Sequence, residues 1–344
     1  MAREIILYPK KASKNELKEF VEKRGYKKTE HLWNWPKGTL NFFWFDDDDY
    51  KSIAGVELDI YPVDNTENKY TNNKWAIHVR NLVSGSIFDV REFNDVVRAI
   101  RKKFGGTLIG DYGKNRYAPL WDDDSVPMQR GIEREYKYHN GFLKKITLAL
   151  PNEIFSIPKT DDAKIKSFID FTKQQDPSTV IYNGLIPLLI STVESILRSY
   201  FIIILKYDTL ARQNLENLSK IKLDFSSIEK IEAGIYSKEW IVADQYNFQN
   251  LESIKKAFDL FNIDIYKTLH NKILRKSNPR TDLFQLISKL INDRHEIIHN
   301  LIFDLSLSKS VFLNKLNIVQ NVIDAVTDEI EKKYGFKIDR KNIM

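Results

Sequence analysis

The chain contains no cysteine, which excludes disulfide stapling and removes one mark of an exported protein. No charged, apolar and small-residue leader opens it, so the expected compartment is the cytoplasm. No uninterrupted membrane-length apolar run is read either: the most apolar stretch, Val180 to Leu205, is broken by Asn183, Pro187, Glu194 and Arg198. That stretch reads as a buried helix, and no membrane partner is expected. Internal repeats, low-complexity tracts and a nucleotide-binding Gly-rich loop are also lacking, as is a basic arm or tail.

What is present is a folded chain of 344 residues, 42% hydrophobic and 29% charged, a length that suits two domains. The net charge of +6 suits an anionic partner, but acids and bases alternate almost everywhere, so any contact with nucleic acid must be local. Composition changes near Pro151. Five of six Trp and ten of thirteen Gly precede it, and Leu/Ile-rich segments follow. The expected organisation is therefore an α+β domain over 1–155 and an all-α, up-and-down helical bundle over 156–344, with Thr160-Asp161-Asp162 as a helix cap.

In the first half, Glu4–Tyr8, Leu40–Phe45, Ile53–Tyr61 and Trp75–Val79 read as strands. Lys14–Arg24 and Asp89–Phe104 read as amphipathic helices, the second ended by Gly105-Gly106. In the second half, helices are expected near 162–175, 180–206, 209–220, 247–261, 281–303 and 308–334. Asp46–Asp49 lacks the interleaved spacing of a calcium loop and reads as a turn between strands.

The densest group of chemically capable side chains runs from Asn292 to Asn300, late in a helix. Phe284, Ile287, Ile291 and Ile298 mark its expected buried stripe, and Arg294 falls in the middle of it. A guanidinium there needs an anion. Glu194 shares a helix face with Ile190, Leu197 and Phe201, so two opposite charges on two buried faces are expected to pair. The plain alternative is a structural ion pair tying two helices together. On an ideal helix His299 lies about 140° around from Arg294. A bend, a helix terminus or a site shared by two subunits would be needed to bring both to one reacting group.

Arg294, His295, three further residues and His299, followed by Asn300, resemble the Arg-x4-6-His signature of the HEPN family, over about 160 to 335. Glu194 sits on an early helix where many relatives carry an acid. The resemblance implies a dimeric, metal-independent endoribonuclease that needs no cofactor. Arg294 would stabilise the scissile phosphate and His299 would act as general acid or base around attack by the 2′-hydroxyl. His295, Asn300 and Glu194 would support them. The products would be a 2′,3′-cyclic phosphate and a 5′-hydroxyl end, and DNA would be unreactive.

It further implies a toxin or abortive-infection effector, restrained by a protein trigger or antitoxin, with residues 1–155 as sensor or regulator. Two other readings share these residues. His295-Glu296-Ile297-Ile298-His299 also spells the zinc-hydrolase pattern, with Glu329 or Glu331 as the available third ligand. A noncatalytic dimerisation or adaptor bundle is the other. In the first half, Gly110–Tyr117 offers Lys114 and Arg116 as RNA contacts, against the plain reading of an ordinary loop. His31, His78, His139 and His270 lack motif-like companions and read as structural or surface residues.

Overall fold

The computed structural model describes residues 2–30, 35–67, 69–153, 171, 176–217, 225–275 and 281–341. They form two compact units, Met1–Arg130 and Gly131–Met344. The division falls inside the helix Pro127–Ala149, ahead of the domain boundary expected at 155.

The first unit runs β1 (Ala2–Tyr8), α1 (Lys14–Glu22), β2 (Lys27–Thr29), β3 (Leu40–Trp44), β4 (Val56–Pro62), β5 (Trp75–Leu82), α2 (Ile87–Phe104) and β6 (Thr107–Gly110). Its six strands form one sheet in the order β2-β3-β4-β5-β1-β6, with antiparallel neighbours throughout. Period-two alternation divides each strand between two faces. Ile5, Leu7, Leu58, Ile60, Ile77 and Val79 point to one face, where Leu17 and Val21 of α1 and Val90, Phe93, Val96, Val97 and Ile100 of α2 bury them. The other face carries Glu4, Asp59, Tyr61, His78 and Arg80.

Both helices start on capping boxes, Ser13 with Glu16 and Ser86 with Asp89. Asp89 does more than cap. Its fully buried carboxylate also accepts the backbone N–H groups of Ile53 and Ala54, at 3.0 Å each, pinning the loop before β4 to the helix start. Gly105 and Gly106 end α2 as expected, at φ +67° and +116°. A side chain at Gly106 would meet the Tyr8 carbonyl oxygen at 2.1 Å, so only glycine fits there.

The second unit is mostly helical. With α3 (Pro127–Ala149) shared by the division, it contains α4 (Pro177–Tyr207), α5 (Thr209–Asn217), α6 (Phe225–Glu232), α7 (Lys238–Ala243), α8 (Leu251–Asp259), α9 (Ile265–Asn271), α10 (Leu283–Asn300) and α11 (Lys309–Tyr334). The expected helix near 162–175 and its cap lie outside the described residues. Two expectations are corrected. Residues 127–149 are helical although they stood within the α+β stretch, because the buried side of α3 mixes Ile132, Tyr136 and Leu143 with His139 and Asn140, which blurs its apolar period. The unit is not purely α either, since β7 (Ile273–Arg275) and β8 (Thr281–Asp282) pair as a short antiparallel ribbon.

Asp176 caps α4 and Pro177 occupies its first turn, where a missing N–H costs nothing. By length and composition α4 could cross a membrane, and 61% of its most apolar window is buried in the fold. It packs mainly against α10, α11 and α7. Asn183 fixes the alignment with α10: its side chain donates to the Asp304 carbonyl at 3.0 Å and accepts the Asp304 N–H at 2.9 Å. Because Asn183 near the start of α4 meets the chain just beyond the end of α10, the two helices run antiparallel.

Candidate active site

Helix α10 begins on a capping box, Asp282 with Gln285. Its buried residues are Leu283, Ile287, Leu290 and Ile297, so the buried stripe is rotated from the one read in sequence. Ile298 is 45% exposed. The reason is where the neighbours sit: α4 and α11 flank α10 on the side of Leu290 and Ile297, leaving the Ile298 edge uncovered. Arg294 remains within the stripe under either reading.

The expected partner of Arg294 is in place. Its Nη2 lies 3.8 Å from Glu194 Oε1, with 16% of each side chain exposed. That separation is an ion pair without a short hydrogen bond. Arg294 Nε and Glu194 Oε1 are both buried without a hydrogen-bond partner among the described residues. Burial raises the Glu194 carboxyl above its ordinary range, opposed by Arg294, by a hydrogen bond from Gln249 and by Arg198. The guanidinium thus faces a carboxylate held at arm's length, and its Nε is buried away from solvent.

His295 and His299 stand one turn apart on the exposed side of α10, their rings 4.5 Å between centroids. Asn300 closes the helix, its side chain donating to Glu296 at 2.8 Å. Asp293, on the opposite flank, is bound to Lys315 of α11. The helix is continuous from Leu283 through Asn300 and stops at Leu301, which is left-handed at φ +53°. No bend lies between Arg294 and His299, so the rotation between them is that of a regular helix.

For antiparallel neighbours that touch at Glu194 and Arg294, the flanks a quarter-turn on from each contact face the same way. Gly184, Leu188, Ser191 and Ser195 of α4 therefore share one exposed side with His295, Ile298 and His299 of α10. Leu188 is 44% exposed and Leu301 is 77% exposed. This side combines large apolar groups, small residues and both motif histidines.

His139, read in sequence as a structural or surface residue, is buried, and its bond to the neighbour of Glu194 was not foreseen. Its buried ring bonds the Glu135 carbonyl through Nδ1 at 2.8 Å and Ser195 Oγ through Nε2 at 3.0 Å, one residue from Glu194. Burial holds it below its ordinary value. Only the spacing of Glu135 and His139 on one helix face could have signalled it. His270, by contrast, bonds the capping Asp282 at 2.8 Å, a structural role as read; His31 lies outside the described residues. Lys114 and Arg116 are exposed in a turn of the first unit, pinned by Asn115, whose side chain accepts the Leu108 N–H and whose own N–H bonds the Leu108 carbonyl.

Among the described residues the zinc pattern finds no third ligand. Glu331 is buried against Lys337, Arg340 and the Ile338 N–H, and Glu329 pairs with Lys332. Among the described residues no three His, Asp or Glu side chains converge as a metal site requires. Comparison with protein-family models, with curated proteins and with solved structures finds no match to this chain.

Proposed function

We propose that the helical unit is a HEPN-type, metal-independent endoribonuclease that works as a homodimer in the cytoplasm, and that the α+β unit regulates it as part of a toxin or anti-phage effector. The observation that carries this reading is the largely buried Arg294, paired loosely with Glu194 at 3.8 Å, on the same helix as the exposed His295 and His299. A guanidinium held in this way is suited to a phosphodiester, whose oxygens match its fork of donors.

In the reaction, His299 takes the proton of the ribose 2′-hydroxyl as that oxygen attacks phosphorus, or returns a proton to the departing 5′-oxygen. Arg294 balances the charge gathering on the phosphoryl oxygens. The new bond closes a 2′,3′-cyclic phosphate, the P–O5′ bond breaks, and the 5′-oxygen leaves as a hydroxyl. Glu194 orients Arg294, while His295 and Asn300 contact neighbouring phosphate. Regular helical geometry turns Arg294 and His299 away from one another, so the complete site draws on two copies. The exposed side bearing Leu188, Ile298 and His299 supplies the contact, with Gly184, Ser191 and Ser195 allowing close approach.

The test is digestion of mixed cellular RNA by wild type and His299→Ala, with and without EDTA, followed by analysis of the ends. Cleavage that resists EDTA, leaves cyclic phosphate and disappears in the variant supports the proposal. EDTA-sensitive cleavage, or cleavage retained by His299→Ala, overturns it. An adaptor bundle is the second reading, favoured by the same apolar side, and it expects a dimer without cleavage.

A further inference from the structure

The open face of the N-terminal sheet holds a cluster with no part in the reaction above. Strand register builds it, setting Asp59 opposite His78, Glu57 and Glu4 opposite Arg80, and Asn41 opposite Asp59. His78 is held between Asp59 at 3.3 Å and Glu4 at 3.4 Å. Arg80 is held between Glu4 at 3.4 Å and Glu57 at 3.3 Å. Over this floor opens a cavity of about 550 Å³, walled by Trp35, Tyr61 and His78, with carboxylates from Glu4, Asp59, Asp64 and Glu67. A second cavity of about 280 Å³ adjoins it and shares Asp59.

We propose that this face binds a small ligand with a flat, guanidinium-like cationic head. Volume and apolar walls match those of small-molecule sites. Charge selects the sign: the larger cavity is lined by four carboxylates against one guanidinium, so a phosphate or carboxylate ligand is repelled and a cation attracted. Shape selects a flat head. The Trp35 ring lies 5.2 Å from Tyr61 and 5.3 Å from His78, tilted by 35° and 50°, and all three rings line the cavity, an aromatic wall that suits a planar cation.

Two further groups await a ligand. Asn41 is only 6% exposed, and while its Nδ2 donates to Asp59, its Oδ1 is buried without a partner among the described residues, beside the smaller cavity. The Trp35 Nε1 is also buried and has no partner among the described residues. Orphaned buried polar atoms are costly, and here an N–H-rich head answers Asn41 while an acceptor on the ligand answers Trp35. The site is also prearranged. Tyr8 and Tyr61 both donate to Glu67 Oε1, at 2.7 Å each, fixing one wall before any ligand arrives.

The test titrates the full chain with phenylguanidine and with its neutral isostere phenylurea, by calorimetry at low salt. Phenylguanidine is expected to bind at least about tenfold more tightly than phenylurea, as desolvated cation–π and ion-pair contacts require. Trp35→Leu and Asp59→Asn are each expected to weaken it by about tenfold. Should Asp59→Asn fail to fold, Asp64→Asn, at an exposed wall position, is expected to weaken it about threefold. No binding of phenylguanidine by wild type, equal binding of the two probes, or unchanged binding in folded variants overturns the proposal. The readout is binding alone, so it stands apart from the outcome of the RNA digestion.

Discussion

The two units gather their charged groups in opposite ways. On the sheet, Glu4, Asp59, His78 and Arg80 come from three strands far apart in sequence, and each is gripped by a close partner. In the helical unit, Arg294, His295 and His299 lie within six consecutive residues; the arginine is only loosely paired and both histidines are exposed. The first arrangement resembles a receptor prepared before its ligand comes. The second resembles half of a device, with chemistry on its surface and its cation incompletely used.

The sharpest way to break this contrast is at His299. His299→Ala is expected to lower RNA cleavage about 10²–10⁴-fold, the usual worth of a general acid or base. Its thermal midpoint should stay near that of wild type, because an exposed side chain contributes little to folding. Asp89→Ala tests the other side. Removing a buried carboxylate that accepts several backbone N–H groups is expected to cost the N-terminal unit about 2–4 kcal/mol in urea unfolding. A smaller effect would mean that the sheet unit is less prearranged than its hydrogen bonds imply.

Arg294→Met is expected to abolish cleavage and to cost about 1–3 kcal/mol, by leaving Glu194 half-buried and uncompensated. Adding Glu194→Gln should restore most of the stability and none of the cleavage, separating the structural ion pair from the chemical role. Leu188→Glu and Ile298→Glu are each expected to weaken self-association by about tenfold in sedimentation equilibrium, the effect of a charge in an apolar contact. Wild type that sediments as a monomer at all concentrations would remove the shared site.

The smallest effect concerns His139. Burial holds its folded value below the ordinary one, so below about pH 6.5 the unfolded chain binds a proton that the folded chain refuses. The contribution of His139 to stability is present above that pH and shrinks as pH falls. Between pH 7 and 5, His139→Gln should therefore lose less stability than wild type in thermal melts.

The same contrast explains what could be read in sequence. The long strands and helices were legible because alternation and the three-and-four spacing are local, as at Val56–Pro62 and Lys309–Tyr334. The Arg294–Glu194 pairing was legible because each charge interrupts an apolar stripe and so calls for a partner. β2 and β6 are too short to display a period, and polar groups facing another helix break up the stripe of α3. The sheet cluster was invisible for a different reason. Nothing in sequence sets His78 beside Asp59 and Glu4 until strand order and register are known.

Leu301 ends α10 in a left-handed conformation, where glycine is the usual residue and a branched side chain costs about 1–2 kcal/mol. Its side chain is largely in solvent, so burial within the monomer does not offset that cost. A helix end designed only for monomer stability would place glycine there. The leucine therefore makes position 301 a point of tension, where substitution by glycine should ease the fold while stripping an apolar group from the surface beside His299. In the proposed dimer, Leu301 would lie at the contact between copies, so Leu301→Gly is expected to raise the thermal midpoint while weakening self-association.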